Sequence, residues 1–160
     1  MSQANPTTPA TEESTTLHLT RHFAAPREAV FRAFTDAEIF MKWWGPKSTT
    51  CPVADLDVRP GGRYHVEMLS DDGSTRYILE GEFREVTEPS RLVYTWAWQN
   101  GGFAGIETLV TIDFHDRDGE TELVLRHEML PGDIAREQHD HGWSGAFDCL
   151  AEVLAAASGS

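Results

Sequence analysis

The residue best placed to do chemistry is His127. In the string LVLRHEML it shares a phase with Leu123, Leu125 and Met129, and alternate positions of a strand face one way. A histidine on an apolar face needs a hydrogen-bond partner. It could act as a general base or anchor a ligand. It could equally be structural, bonded to Tyr, Trp or backbone, which is the plainer reading. Arg21 is in phase with Leu17, Leu19 and Phe23. A cation there calls for an acid, such as Asp148 or Glu152, or for an anionic ligand group. The string HDHGW offers His139 and His141, but residues two apart point to different sides of a helix. No third ligand is evident, so no metal and no cofactor is expected. Ser144 sits in WSGA, which is not a nucleophile elbow. The glycine-rich NGGFAG at residues 100–105 precedes no helix and does not read as a phosphate loop. Glu67 and Glu82 are out of phase with the apolar face. No catalytic residue is assigned.

The elements that must position these side chains follow from periodicity. TLHLTRHF alternates as a strand. AAPREAVFRAFTD changes to helical spacing through Val30, Phe31 and Phe34, and Thr35 or Asp36 ends it and caps a second short helix. That helix is expected to run through Ile39, Phe40, Trp43 and Trp44 and to stop at Gly45-Pro46. Six more strands follow, with turn signals at Pro60–Gly62, Asp72-Gly73, Glu88–Ser90 and Asp118-Gly119. Short turns imply an antiparallel sheet. From Trp143 the apolar positions Ala146, Phe147, Leu150, Val153, Leu154 and Ala157 make an amphipathic helix, with a possible start at Asp133. Gly142 reads as a point of close backbone packing. The result is an α+β chain: a curved antiparallel sheet of about seven strands around a long C-terminal helix, with two short helices after the first strand. Residues 1–13 lack periodicity and read as a disordered tail, leaving one domain over 14–157.

Composition narrows the function classes. The 160 residues carry a formal charge of −13, which opposes nucleic-acid binding. No apolar run approaches the roughly 20 residues of a membrane span, and the N-terminus lacks a signal-peptide pattern, so a cytoplasmic location is expected. Cys51 and Cys149 have no metal or redox spacing and read as thiols.

The strings TRHFAAPREAVFRAFTDAEIFMKWWGP, RPGGRYHVEM, EGEFREVTEPSRLVYTW, LVLRHEMLP and HDHGWSGAFDCLAEVL, in that order, resemble the START/Bet v-type helix-grip (SRPBCC) superfamily. Within it the chain is similar to the family of homologues of the activator of the heat-shock-protein-90 ATPase. The resemblance implies a helix-grip fold with a cavity between sheet and helix, and no single reaction. Proteins of the superfamily include carriers, cyclases and co-chaperone domains.

The expected ligand-facing set is Trp44, Tyr64, Val66, Met68, Phe83, Tyr94, Trp96, Ile112, His127, Met129, Trp143, Phe147 and Leu150. For each aliphatic member a purely core role is the plainer reading. The aromatic and methionine share favours a flat, apolar, ring-containing ligand. Three functions are therefore carried forward. The first is a small-molecule binding protein, monomeric or homodimeric. The second is a chaperone-interacting regulator, and the third a cyclase- or hydrolase-like enzyme. The adjacent Trp43 and Trp44 point about 100° apart on a helix, so one should plug the core and the other lie toward the cavity mouth or the next strand; packing for both is the plainer reading, with a cavity wall as the alternative for one.

Overall fold

The structure is a computed structural model that describes residues 15–44 and 49–158. The tail over residues 1–13 and the Gly45-Pro46 stop lie outside the described residues. Seven strands form one sheet: β1 (Leu17–Phe23), β2 (Thr49–Leu56), β3 (Arg63–Ser70), β4 (Arg76–Thr87), β5 (Arg91–Trp98), β6 (Glu107–Arg117) and β7 (Glu120–Glu128). The order is β1-β7-β6-β5-β4-β3-β2, and every pair is antiparallel. Connections of two to eight residues join β2 through β7 in sequence, the longest being the loop over residues 99–106 between β5 and β6. At the Asp118-Gly119 turn both residues take positive φ, 57° and 86°, as a two-residue hairpin of this twist requires. β1 and β2 are the two edges, so the chain must cross between them. Helices α1 (Arg27–Thr35) and α2 (Ala37–Trp43) make that crossing.

Each short helix is held by a few specific contacts. α1 buries Val30, Phe31, Ala33 and Phe34. Asp36 ends it and caps α2, its carboxylate accepting from the backbone N–H groups of Glu38 at 3.0 Å and Ile39 at 3.4 Å. α2 stops one residue short of expectation: Trp44 is its extended C-cap, with φ −70° and ψ 131°.

Helix α3 (Asp133–Ser158) lies in the curl of the sheet. Its inward stripe is Ala135, His139, Trp143, Ala146, Phe147, Leu150 and Leu154. The stripe ends there, and Ala157, expected on it, is exposed. Arg21 on β1 joins the sheet edge to α3 by donating to Asp148 Oδ1 at 3.0 Å and to the Ser144 carbonyl at 3.3 Å. It is a part-exposed pair and not the buried one that its phase implied.

One expected inward residue faces out. Met129 is 57% exposed because β7 ends at Glu128 and Met129 takes a φ of 69°. That turn breaks the alternation, and Leu130 takes the inward place, its N–H bonded to the Thr15 carbonyl at 2.9 Å. Cys51 is buried and its thiol is pushed up to about 11 by desolvation. Neither cysteine forms a disulfide.

The β3–β4 pair depends on a glycine. Tyr64 sits opposite Gly81 and donates its hydroxyl to the Thr95 carbonyl on β5. A Cβ at Gly81 would lie 2.1 Å from the Thr95 oxygen and 2.5 Å from the Tyr64 ring. Backbone oxygen cannot yield as a flexible side chain does. Gly81→Ala is therefore expected to cost about 2–3 kcal/mol, measured by chemical denaturation. A loss within experimental error would show that the strand pair can shift at no cost.

Candidate functional site

Four of the five tryptophans converge at one end of the sheet. Ring centroids lie 5.6 Å apart for Trp44 and Trp96, 5.1 Å for Trp44 and Trp143, 5.2 Å for Trp96 and Trp143, and 5.5 Å for Trp96 and Trp98. Strand alternation brings Trp96 inward and leaves Trp98 two residues on at the rim. Trp143 comes from α3, and Trp44 from the corner after α2. Between them, the loop carrying Asn100–Phe103 and the first half of α3 lies a cavity of about 510 Å³. That volume is in the range of small-molecule pockets. Among the described residues none that lines it is Lys, Arg, Asp or Glu.

Two histidines stand beside the cluster, and their hydrogen bonds define their tautomers. Trp143 Nε1–H donates to His127 Nδ1 at 3.1 Å. His127 Nε2–H then donates to Thr108 Oγ1 at 2.8 Å, and the Thr108 hydroxyl donates to the Trp96 carbonyl at 3.1 Å. Trp98 Nε1–H donates to His139 Nε2 at 3.1 Å, so the His139 Nδ1–H donates to the Ala135 carbonyl at 2.7 Å. Both rings are neutral and fully used. Burial holds His127 well below the usual histidine range, and the neighbouring His139 adds to the shift. His139 is lowered mainly by burial, against its bond to Ala135. The Trp44 and Trp96 indole N–H groups are the exception: both nitrogens are buried without a hydrogen-bond partner among the described residues.

These shifts give a pH prediction. A histidine whose folded-state pKa is depressed contributes stability that is present above its unfolded pKa, near 6.5, and is lost as pH falls below it. His127 and His139 are therefore expected to destabilise the fold as pH drops from about 6.5 towards 5. The limiting slope is about 1.4 kcal/mol per pH unit for each. His65 works in the opposite direction. Its bonds to Glu67 and Glu80, both 2.6 Å, raise its pKa, so its contribution is complete below about 6.5 and is lost at higher pH. Denaturation midpoints against pH should peak near neutrality; a flat profile between pH 5 and 6.5 would contradict the neutral assignment of the two buried rings.

The expected ligand-facing residues separate into groups. Trp44, Met68, Trp96 and Trp143 line the cavity. Tyr64, Val66, Phe83 and Tyr94 line a void of about 20 Å³ deeper in the sheet, with Trp44 and Trp96 dividing the two. Ile112, Phe147 and Leu150 are wholly buried core. His127 lies behind Trp96 and Trp143, and Met129 points to solvent. Trp98, which strand phase sets inward or at the rim with Phe83, Tyr94 and Trp96, lines the cavity too, whereas Phe103 and His139 were not anticipated as lining residues. His139 was legible: it precedes Trp143 by four and Ala146 by seven, so it continues the stripe of α3 one turn earlier. The glycine-rich loop carries no periodicity to place it. Gly142 lines the cavity rather than a tight contact, since a Cβ there would meet no atom within 4 Å. Among the described residues no group of three or more His, Cys, Asp or Glu is placed to hold a metal ion, and no helix is long and apolar enough to cross a membrane.

A long helix gripped by a curled seven-stranded antiparallel sheet is the helix-grip architecture of the START/Bet v-type (SRPBCC) superfamily. Within it the chain belongs to the Activator of Hsp90 ATPase homolog 1-like protein family, which matches residues 24–155. It is similar to the human Activator of 90 kDa heat shock protein ATPase homolog 1, with 30% identity over 124 residues, covering 76% of this chain and 31% of that protein. The chain thus spans about a third of the length of the curated relatives it matches. Among solved structures, a Chromobacterium violaceum protein is 29% identical with a TM-score of 0.81, covering 88% of this chain and 96% of the other. The AHSA1 protein of Silicibacter pomeroyi is 31% identical with a TM-score of 0.79, covering 88% and 98%.

Proposed function

We propose that this protein binds a small, apolar, ring-containing molecule in the cavity between the sheet and the first half of α3. The supporting observation is the cavity itself: about 510 Å³, walled by four indoles and, among the described residues, without a Lys, Arg, Asp or Glu in its lining. A packed core does not leave such a space, because interiors fill to crystal-like density. Affinity would come from apolar area, roughly 25 cal/mol per Å² before the costs of association. Trp44, Met68, Trp96 and Trp143 supply the walls. His127 acts through Trp143, whose indole it fixes, and does not itself reach the occupant. A base role for it draws no support, since both its ring nitrogens are engaged. Titration with the neutral fluorophore N-phenyl-1-naphthylamine tests the reading. Saturable one-to-one binding with quenching of tryptophan emission is expected. Absence of binding to the folded protein would overturn it.

A second reading rests on the relatives. Similarity to the human and mouse activators of a 90 kDa heat shock protein ATPase favours contact with a chaperone of that class. Stimulation of the chaperone's ATPase by this chain would support it, and no stimulation together with no complex on gel filtration would remove it. The two readings are compatible.

A further inference from the structure

From the chemistry of its wall we infer that the cavity selects a ring-bearing organic cation, of the quaternary ammonium class, over neutral and anionic molecules of the same shape. The inference deepens the small-molecule reading and rests on it. An indole presents a negative π face, and tryptophan is the strongest of the aromatic partners for a diffuse cation. Four indoles line this one cavity, joined by Tyr77 and Phe103. A quaternary ammonium holds its water weakly, so an apolar aromatic wall can replace that hydration, whereas a compact ion would lose too much.

The same wall offers an anion no Lys or Arg among the described residues. Three of its donor groups are already committed. The Trp98 indole donates to His139, the Trp143 indole to His127, and the Asn100 amide to the Arg76 carbonyl at 2.6 Å. The unpartnered indole nitrogens of Trp44 and Trp96 are closed off from solvent-sized space. His139 brings no charge, because one of its nitrogens accepts the Trp98 proton and the other donates to backbone. The chain as a whole carries −13, and that field attracts cations and repels anions on approach.

Three naphthalenes of nearly one shape test this. The cation is (2-naphthylmethyl)trimethylammonium, the neutral isostere is 2-neopentylnaphthalene, and the anion is 2-naphthylmethanesulfonate. Each is titrated by tryptophan quenching at low salt and again at 0.5 M NaCl. The cation should bind roughly tenfold more tightly than the neutral isostere, and the anion at least tenfold more weakly than the neutral one. Salt screens the long-range field and leaves contact with the rings, so a cation advantage that survives 0.5 M NaCl belongs to the wall. That advantage should shrink in Trp98→Leu. If the neutral isostere binds as tightly as the cation, or the anion as tightly as the neutral isostere, charge selection is overturned while the cavity reading stands. If none of the three binds, both fall.

Discussion

Trp43→Ala is expected to lose about 3–5 kcal/mol of folding stability, and Trp44→Ala distinctly less. The two residues are neighbours in MKWWGPK, yet the chain changes conformation between them. Trp43 is the last residue of α2, is 1% exposed, and donates its indole N–H to the Ala33 carbonyl at 2.9 Å. Its ring meets Phe34 at 4.8 Å and Phe40 at 5.3 Å. Removing it opens a hole where α1 and α2 join and deprives a buried carbonyl of its donor. Trp44 stands in extended backbone, stacks on Phe40 at 4.9 Å, and turns its other neighbours, Trp96 and Trp143, into the cavity wall. Its indole N–H has no partner, so truncation strands nothing and relieves one unsatisfied donor. Urea denaturation of both variants separates them. Trp44→Ala should keep most of its stability while losing the aromatic probe. Equal stability losses with probe binding intact would make both residues scaffold.

His127→Leu is expected to cost about 2–4 kcal/mol. The substitution keeps the buried volume apolar but removes the acceptor of the Trp143 indole and the donor to Thr108 in one step. Both groups lie where water does not reach: Trp143 is 2% exposed, Thr108 3% and His127 itself 0%. An orphaned buried donor carries its full desolvation penalty. The variant should also lose part of the destabilisation between pH 6.5 and 5, because one of the two depressed histidines is gone. His127→Gln, with a donor and an acceptor, should recover part of the stability. Retained stability with lost probe binding would instead place His127 in direct contact with the occupant.

Much of this architecture is written in periodicity. The alternation of Tyr64, Val66 and Met68, the hairpin at Asp118-Gly119 and the stripe through Trp143, Phe147 and Leu150 are local patterns, and each survives in the structure. Met129 shows where that logic ends. A strand pattern cannot announce that one residue will adopt a positive φ, and a single such residue sends the next side chain to the opposite face. Phase also cannot separate core from cavity. Ile112 and Trp96 both face inward, but only Trp96 lies at the end where the sheet and α3 diverge. That divergence depends on the path of the loop after Trp98, which has glycine and no periodicity. The hydrogen-bond chain from Trp143 through His127 to Thr108 links residues 16 and 19 positions apart. It could be anticipated only as a need for some partner.

Occupation of the cavity is tested most directly by Gly142→Leu. Gly142 lines the cavity in α3, where a Cβ would meet no atom within 4 Å. Leucine is among the best helix formers and glycine among the worst, by close to 1 kcal/mol. The variant should therefore be at least as stable as the parent, while its side chain takes up part of the cavity. In a titration with N-phenyl-1-naphthylamine, affinity is expected to fall tenfold or more with the denaturation midpoint unchanged or raised. Undiminished affinity in the stably folded variant would place the probe elsewhere and contradict the cavity as the binding site.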